Sequence, residues 1–220
     1  MIYINNLLES HRNYWNKERG YIFLKMVGLF AIAMIVQHFA NIYVARTNGV
    51  PVGDVILSNI PTVDIDLFII QGALVFSIGM IIALIMKPKY ILFTIAAVSV
   101  FIITRSFFIS LTHLGVDPHE IVLDTDSLGF GLYNILFNSK SDFFFSGHTG
   151  IPFLMGLIFQ QNYWLSKICF AVSFILGVSV LLGHVHYSID VFAAPFMTYT
   201  IFVLAKRFFP KEYSSLSHQH

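Results

Sequence analysis

The sequence predicts an all-α fold: a polytopic membrane protein built as a bundle of six transmembrane helices. Three observations carry that expectation. Hydrophobic residues fill 56% of the 220 positions and charged residues only 11%, against about 25% charged in a soluble domain. The mean hydropathy is +0.74. Apolar runs of the length a bilayer demands, about 20 residues each, recur along the chain with polar stretches between them and no visible repeat.

The elements follow in order. GYIFLKMVGLFAIAMIVQHFANIYVA gives a first span at 21–45. It is longer than a signal-peptide core and lacks a small-residue cleavage site, so it is expected to be retained. Spans at 65–86 and 90–112 follow, joined by Lys87, Pro88 and Lys89. A fourth at 147–161 is short and draws on the preceding FFFSG. The last two, 164–184 and 186–207, are nearly continuous and require a tight turn near Gly183. Residues 1–20 then form a cytoplasmic segment, 21–207 one membrane catalytic domain with a long outer loop at 113–146, and 208–220 a cytoplasmic tail.

Charge sets the expected orientation. Arg12, Lys17, Arg19, Lys25, Lys87, Lys89, Lys167, Lys206, Arg207 and Lys211 fall on one side of a six-span path, ten of the thirteen Lys and Arg. By the positive-inside rule that side and both termini are cytoplasmic. The acids Asp54, Asp64, Asp66, Asp117, Glu120, Asp124, Asp126, Asp142 and Asp190 gather near the other side. A plasma or inner membrane is the expected location. The net charge of +1 offers no basic surface for nucleic acid. The single cysteine, Cys169, excludes an intramolecular disulfide.

Polar groups meet at the outer side. Ser146, Gly147, His148 and Thr149 open the fourth span, with FFF before them as an expected interfacial anchor. Arg105 lies within the third, and an arginine at membrane depth is costly enough to suggest a site. It also fits an ion pair with an outer aspartate. His184, His186 and Asp190 lie in GHVHYSIDVFAA, and Asp54 and Pro61 in GVPVGDVILSNIP. A histidine and an aspartate at i, i+4 share a helix face. The carboxylate then fixes one ring nitrogen and leaves the other as nucleophile or base. Backbone N–H groups at a helix start, with the Ser146 and Thr149 hydroxyls, suit an anion, and Arg105 offers a planar fork for phosphate oxygens. These parts suggest phosphoryl transfer in which His186 attacks phosphorus, Asp190 orients it and His148 moves the proton, with no metal and no cofactor. The bland readings are a capped helix start at His148 and a structural pair at His186 and Asp190.

Two stretches resemble a known family. DFFFSGHT at 142–149 is similar to the D-x-x-x-S-G-H-T motif of the sphingomyelin synthase branch of the type 2 phosphatidic acid phosphatase (PAP2) superfamily, and HYSIDVFAA at 186–194 to its H-Y-[ST]-x-D-V-x-x-A motif. TRSFFISLTHLGVDP resembles the family's arginine segment, and GVPVGDVILSNIP more loosely its first-loop segment. The resemblance spans about 40–207 and implies a six-helix PAP2-like bundle with His148, His186 and Asp190 as catalytic triad. It implies transfer of a phospho-headgroup from a glycerophospholipid to a ceramide- or diacylglycerol-like alcohol, or to water. Arg105, Ser146, Gly147 and Thr149 are the expected phosphate contacts, with Asp142, His184 and Tyr187 in support. The chain departs from the pattern in two places. Lys140 and Ser141 stand where the family has a cysteine before the aspartate, and Val180 stands where the wider superfamily has an arginine.

Three other functions compete. A lipid phosphatase or phospholipase C-type hydrolase needs the same three residues with water as acceptor. A transporter needs polar groups through the membrane, where Gln37, His38 and Gln71 are few. A metal enzyme would draw on His184, His186 and Asp190, but the i, i+2 histidines converge poorly on one helix. The expected partners are a phospholipid donor, a lipid-alcohol or water acceptor, and the surrounding lipids.

Overall fold

The computed structural model describes residues 2–47, 49–136 and 143–217. Apart from one isolated bridge, Val50 to Leu114, and two short 3₁₀ turns, the regular structure among them is α-helical. The helices are α1 (Ile2–Tyr14), α2 (Lys17–Arg46), α3 (Asp66–Met86), α4 (Ile91–Ile109), α5 (Phe130–Leu136), α6 (Gly147–Ile158), α7 (Tyr163–Leu182), α8 (Ser188–Phe208) and α9 (Pro210–Ser217). Sequence chemistry marks several starts. Asn16, Ser146 and Asn162 each accept a hydrogen bond from a first-turn backbone N–H, which satisfies a donor that has no partner inside the helix.

Five helices are long and apolar enough to cross a membrane: α2, α3, α4 with the turn before it, α7 and α8. These fit an integral membrane protein. The expected fourth span is α6, which has only 12 residues. At 1.5 Å per residue it rises about 18 Å, short of a hydrocarbon core about 30 Å thick. The aromatic run before it does not extend the helix. Phe144 and Phe145 have φ of 148° and 34°, values a bulky side chain rarely adopts, and Ser146 caps α6 immediately after them. Nor is FFF an interfacial anchor. Phe143 and Phe145 are buried, Phe145 sits edge-on to Phe101, and Phe144 stacks on Phe108. Packing on α4 therefore holds the strained backbone in place.

Other expectations shift too. Within 1–20, α1 forms and α2 already begins at Lys17. The 113–146 loop carries a helix of its own, α5. The last span begins at Ser188, so His186 precedes the helix instead of lying in it. The cause is the way α7 ends. Val185 N–H reaches back to Val180 C=O and His184 N–H to Leu181 C=O, with His184 at φ 55°. This is a Schellman stop, with histidine at the left-handed position that glycine usually holds.

A histidine–aspartate end of the bundle is built by close packing. Facing Leu92, Ala96 and Ile109 of α4, α2 buries Met26, Ala33, Ala40 and Val44 along one stripe. Its other faces expose Leu24, Ile32, Ile35 and Phe39, as a lipid-facing helix would. The main core joins Phe93 and Phe101, Leu154 and Ile158, Cys169, and Ala194 and Ile201 from α4, α6, α7 and α8. Hydroxyls add links: Ser173 Oγ donates to Thr149 C=O at 2.7 Å and Ser166 Oγ to Gly156 C=O at 2.8 Å. Gly150 lets α6 approach its neighbours, since a Cβ there would lie 2.7 Å from the Phe101 ring and 3.0 Å from Thr198 Oγ1.

Candidate active site

Two helix starts meet here. The Ser146 N–H donates to the Asp190 C=O at 2.9 Å, joining the N-terminus of α6 to the first turn of α8. Ser146 and Asp190 are fully buried, and His148 and His186 nearly so. His186 Nδ1 stands 3.3 Å from Asp190 Oδ2. The pair forms although His186 lies outside the helix, because the chain folds over Tyr187 before α8 begins. The His148 and His186 rings face each other at 65° with centroids 6.0 Å apart, and Phe143 abuts His186 edge-on.

Arg105 comes from the last two turns of α4 and is buried. Its Nε–H donates to the Phe145 C=O at 3.1 Å. The guanidinium lies against Gly147, where a Cβ would stand 3.6 Å from Nε. The strained Phe144–Phe145 segment thus has a positional effect: it turns a carbonyl toward the arginine and sets the cation beside the start of α6.

A cavity of about 910 Å³ opens over these groups. Arg105, Gly147, His148 and His186 line it at one end, and Val27, Phe30, Met34, Met80 and Leu84 line it further along α2 and α3. Ser146 and Asp190 lie behind the wall, and the Thr149 hydroxyl rests against Gly177 of α7. Tyr187 braces two loops: its hydroxyl donates to Gly115 C=O at 2.8 Å and accepts from Val52 N–H at 3.3 Å. Burial pushes its phenol above the ordinary value. His184 turns the other way, toward Asp117. Asp142 lies outside the described residues.

Two contributors were not assigned from the sequence. Tyr133, on α5, places its hydroxyl 2.9 Å from His148 Nε2. Burial, with the Glu120 carboxylate in addition, holds that phenol above its ordinary value, so it stays protonated. No spacing signal marks it, because α5 reaches the site only through the fold. Asp54 was noted only as part of a polar loop. Its Oδ2 accepts from Ser188 N–H at 2.7 Å, and its Oδ1 from Ile56 and Leu57 N–H at 2.9 and 3.1 Å. It caps α8 from another part of the chain. Burial works to raise its pKa, but those backbone N–H bonds outweigh it and hold the carboxyl below its usual range.

The arrangement is that of an α-helical membrane protein with a histidine–aspartate site at the head of an apolar cavity. Residues 141–207, which carry His148, His186 and Asp190, match the family described as PAP2 superfamily C-terminal. The likeness is confined to that stretch, under a third of the chain. No curated protein and no solved structure matches the chain.

Proposed function

We propose that this protein is a lipid phosphotransferase that moves a phospho-headgroup from a glycerophospholipid to a ceramide- or diacylglycerol-like alcohol. The observation that carries the reading is the cavity of about 910 Å³, which has paired histidines and an arginine at one end and apolar side chains such as Phe30, Met34, Met80 and Leu84 along the rest of its wall. The match at 141–207 supports the same class of chemistry.

The steps follow from the side chains. Asp190 holds His186 by Nδ1, which leaves Nε2 to attack phosphorus. A P–N bond forms, the P–O bond to the diacylglycerol breaks, and His148 protonates the departing oxygen. In the second half His148 takes the proton of the incoming alcohol. The P–O bond to the acceptor forms as the P–N bond to His186 breaks. Arg105 and the α6 N-terminus stabilise the phosphoryl oxygens. The phosphoryl step draws on side chains alone. We place the site on the extracytoplasmic side with both termini cytoplasmic, with α6 completing the bundle as a short sixth element.

Hydrolysis by the same groups is the second reading, since the cavity admits water as readily as an alcohol. The test is purified protein with labelled phosphatidylcholine, with and without ceramide, and mass spectrometry of the products. Transfer yields a new phospholipid; hydrolysis yields a free phospho-headgroup. Vanadate, a mimic of five-coordinate phosphorus, inhibits either reaction. His186→Ala and Asp190→Asn are expected to abolish turnover in folded protein, and full activity in His186→Ala would sink the covalent mechanism.

A further inference from the structure

We propose that Asp117, His119 and His184 bind one divalent transition-metal ion of the zinc type, clipping the loop before α5 to the turn between α7 and α8. The three residues come from two distant stretches of chain and share no element. Each offers one donor atom, and the three atoms lie within 4.8 Å of one another.

The contact lengths within the cluster suit metal coordination. His119 Nδ1 and His184 Nδ1 each stand 3.4 Å from Asp117 Oδ1. N–H···O bonds favour about 2.7–3.2 Å, so both contacts are long for hydrogen bonds. Zinc holds nitrogen and carboxylate oxygen at about 2.0–2.2 Å in a tetrahedron, whose edge is then about 3.3–3.6 Å. The two imidazole–carboxylate separations match that edge, and the third pair of donor atoms lies within 4.8 Å.

His184 is the buried member of the set, and its Nε2 has no hydrogen-bond partner among the described residues. With Nδ1 only at 3.4 Å from Asp117, neither nitrogen makes a normal-length bond, which is unusual for a buried polar group. A metal on Nδ1 would give that nitrogen a bond in place of its long contact; Nε2 would keep its present surroundings. His119 has a side chain 75% exposed, so an ion arrives from solvent and keeps an open position for water.

The frame is set before the ion arrives. The His119 N–H donates to Asp117 Oδ1 at 2.8 Å, folding His119 back over the carboxylate. The Ile121 N–H donates to the Gly183 C=O at 3.0 Å, docking the loop beside His184. The Schellman stop fixes His184 itself. Two imidazoles and one carboxylate suit zinc and its neighbours; calcium and magnesium require more oxygen ligands. The site uses neither His186 nor Asp190, although Asp117 lines the same cavity as His148 and His186.

The test is full-length protein stripped with a chelator and titrated with zinc chloride, read by calorimetry, by metal content after dialysis and by unfolding temperature. Wild type is expected to bind one ion per chain more than His119→Ala or Asp117→Asn, and to gain unfolding temperature on zinc where those variants do not. The comparison separates this site from His218 and His220 of the C-terminal tail. Calcium and magnesium are expected to give no shift. Equal zinc binding by wild type and His119→Ala, or an equal shift with calcium, overturns the proposal.

Discussion

Replacing Asp54 by alanine tests how the turn that carries His186 is held. The carboxylate receives three backbone N–H groups, at 2.7, 2.9 and 3.1 Å, and one belongs to Ser188 at the start of α8. Loss of a helix cap costs about 1 kcal/mol, and a hydrogen bond to a charged group contributes about 1.5–3 kcal/mol. Asp54 is only partly buried, so water replaces much of what is lost, and about 2 kcal/mol is the expected sum. For a chain of this length that lowers the unfolding temperature by roughly 4–8 °C. Asp54→Asn keeps one acceptor and is expected to lose about half as much. The assay is thermal unfolding of purified protein in detergent. A pH series adds a signed check. The folded carboxyl is held below its usual range, so its contribution is fully present above the unfolded value, about 3.9. It is lost as pH falls through the lower folded value. The gap between wild type and Asp54→Ala is therefore flat near neutrality and closes only in acid. An alanine variant as stable as wild type at pH 7 refutes the capping argument, as does a gap that widens in acid.

Gly150→Ala puts a carbon 2.7 Å from the Phe101 ring, inside the ordinary 3.5–4.0 Å contact. It is expected to cost about 1–3 kcal/mol by overpacking, with partial rescue by Phe101→Leu in the same unfolding assay; no loss would show that α6 can shift freely. Tyr133→Phe removes the hydroxyl 2.9 Å from His148, a change of about 1–2 kcal/mol. It is expected to lower kcat about tenfold with little effect on KM and to alter the pH–rate profile. An unchanged profile would assign Tyr133 to packing alone.

The sequence made some of this visible and not the rest, for physical reasons. His148, His186 and Asp190 stand in two short stretches where spacing and polarity can be seen in an apolar background. The His186–Asp190 contact was inferable because a four-residue interval is local. Tyr133 and Asp54 act across the fold: one reaches His148 from a short helix inside a loop, the other caps a helix 134 positions away. Nothing in a linear pattern marks such contacts. The pairing of Asp117 and His119 with His184 was hidden in the same way. Helix boundaries failed where backbone strain outranked hydropathy. The FFF run is apolar enough to extend a span, but the positive φ of Phe144 and Phe145 ends that option. The helix-start reading of His186 failed because the Schellman stop places it in the turn.

The bond from Ser146 N–H to Asp190 C=O sets the distance between the two histidine-bearing segments through main-chain atoms alone. Side-chain exchange at either residue leaves both main-chain partners in place, so this link does not depend on which side chains the two positions carry. Proline at 146 is the exception, because it removes the donor. The register of α6 against α8 is thus written into the backbone and not into any one side chain.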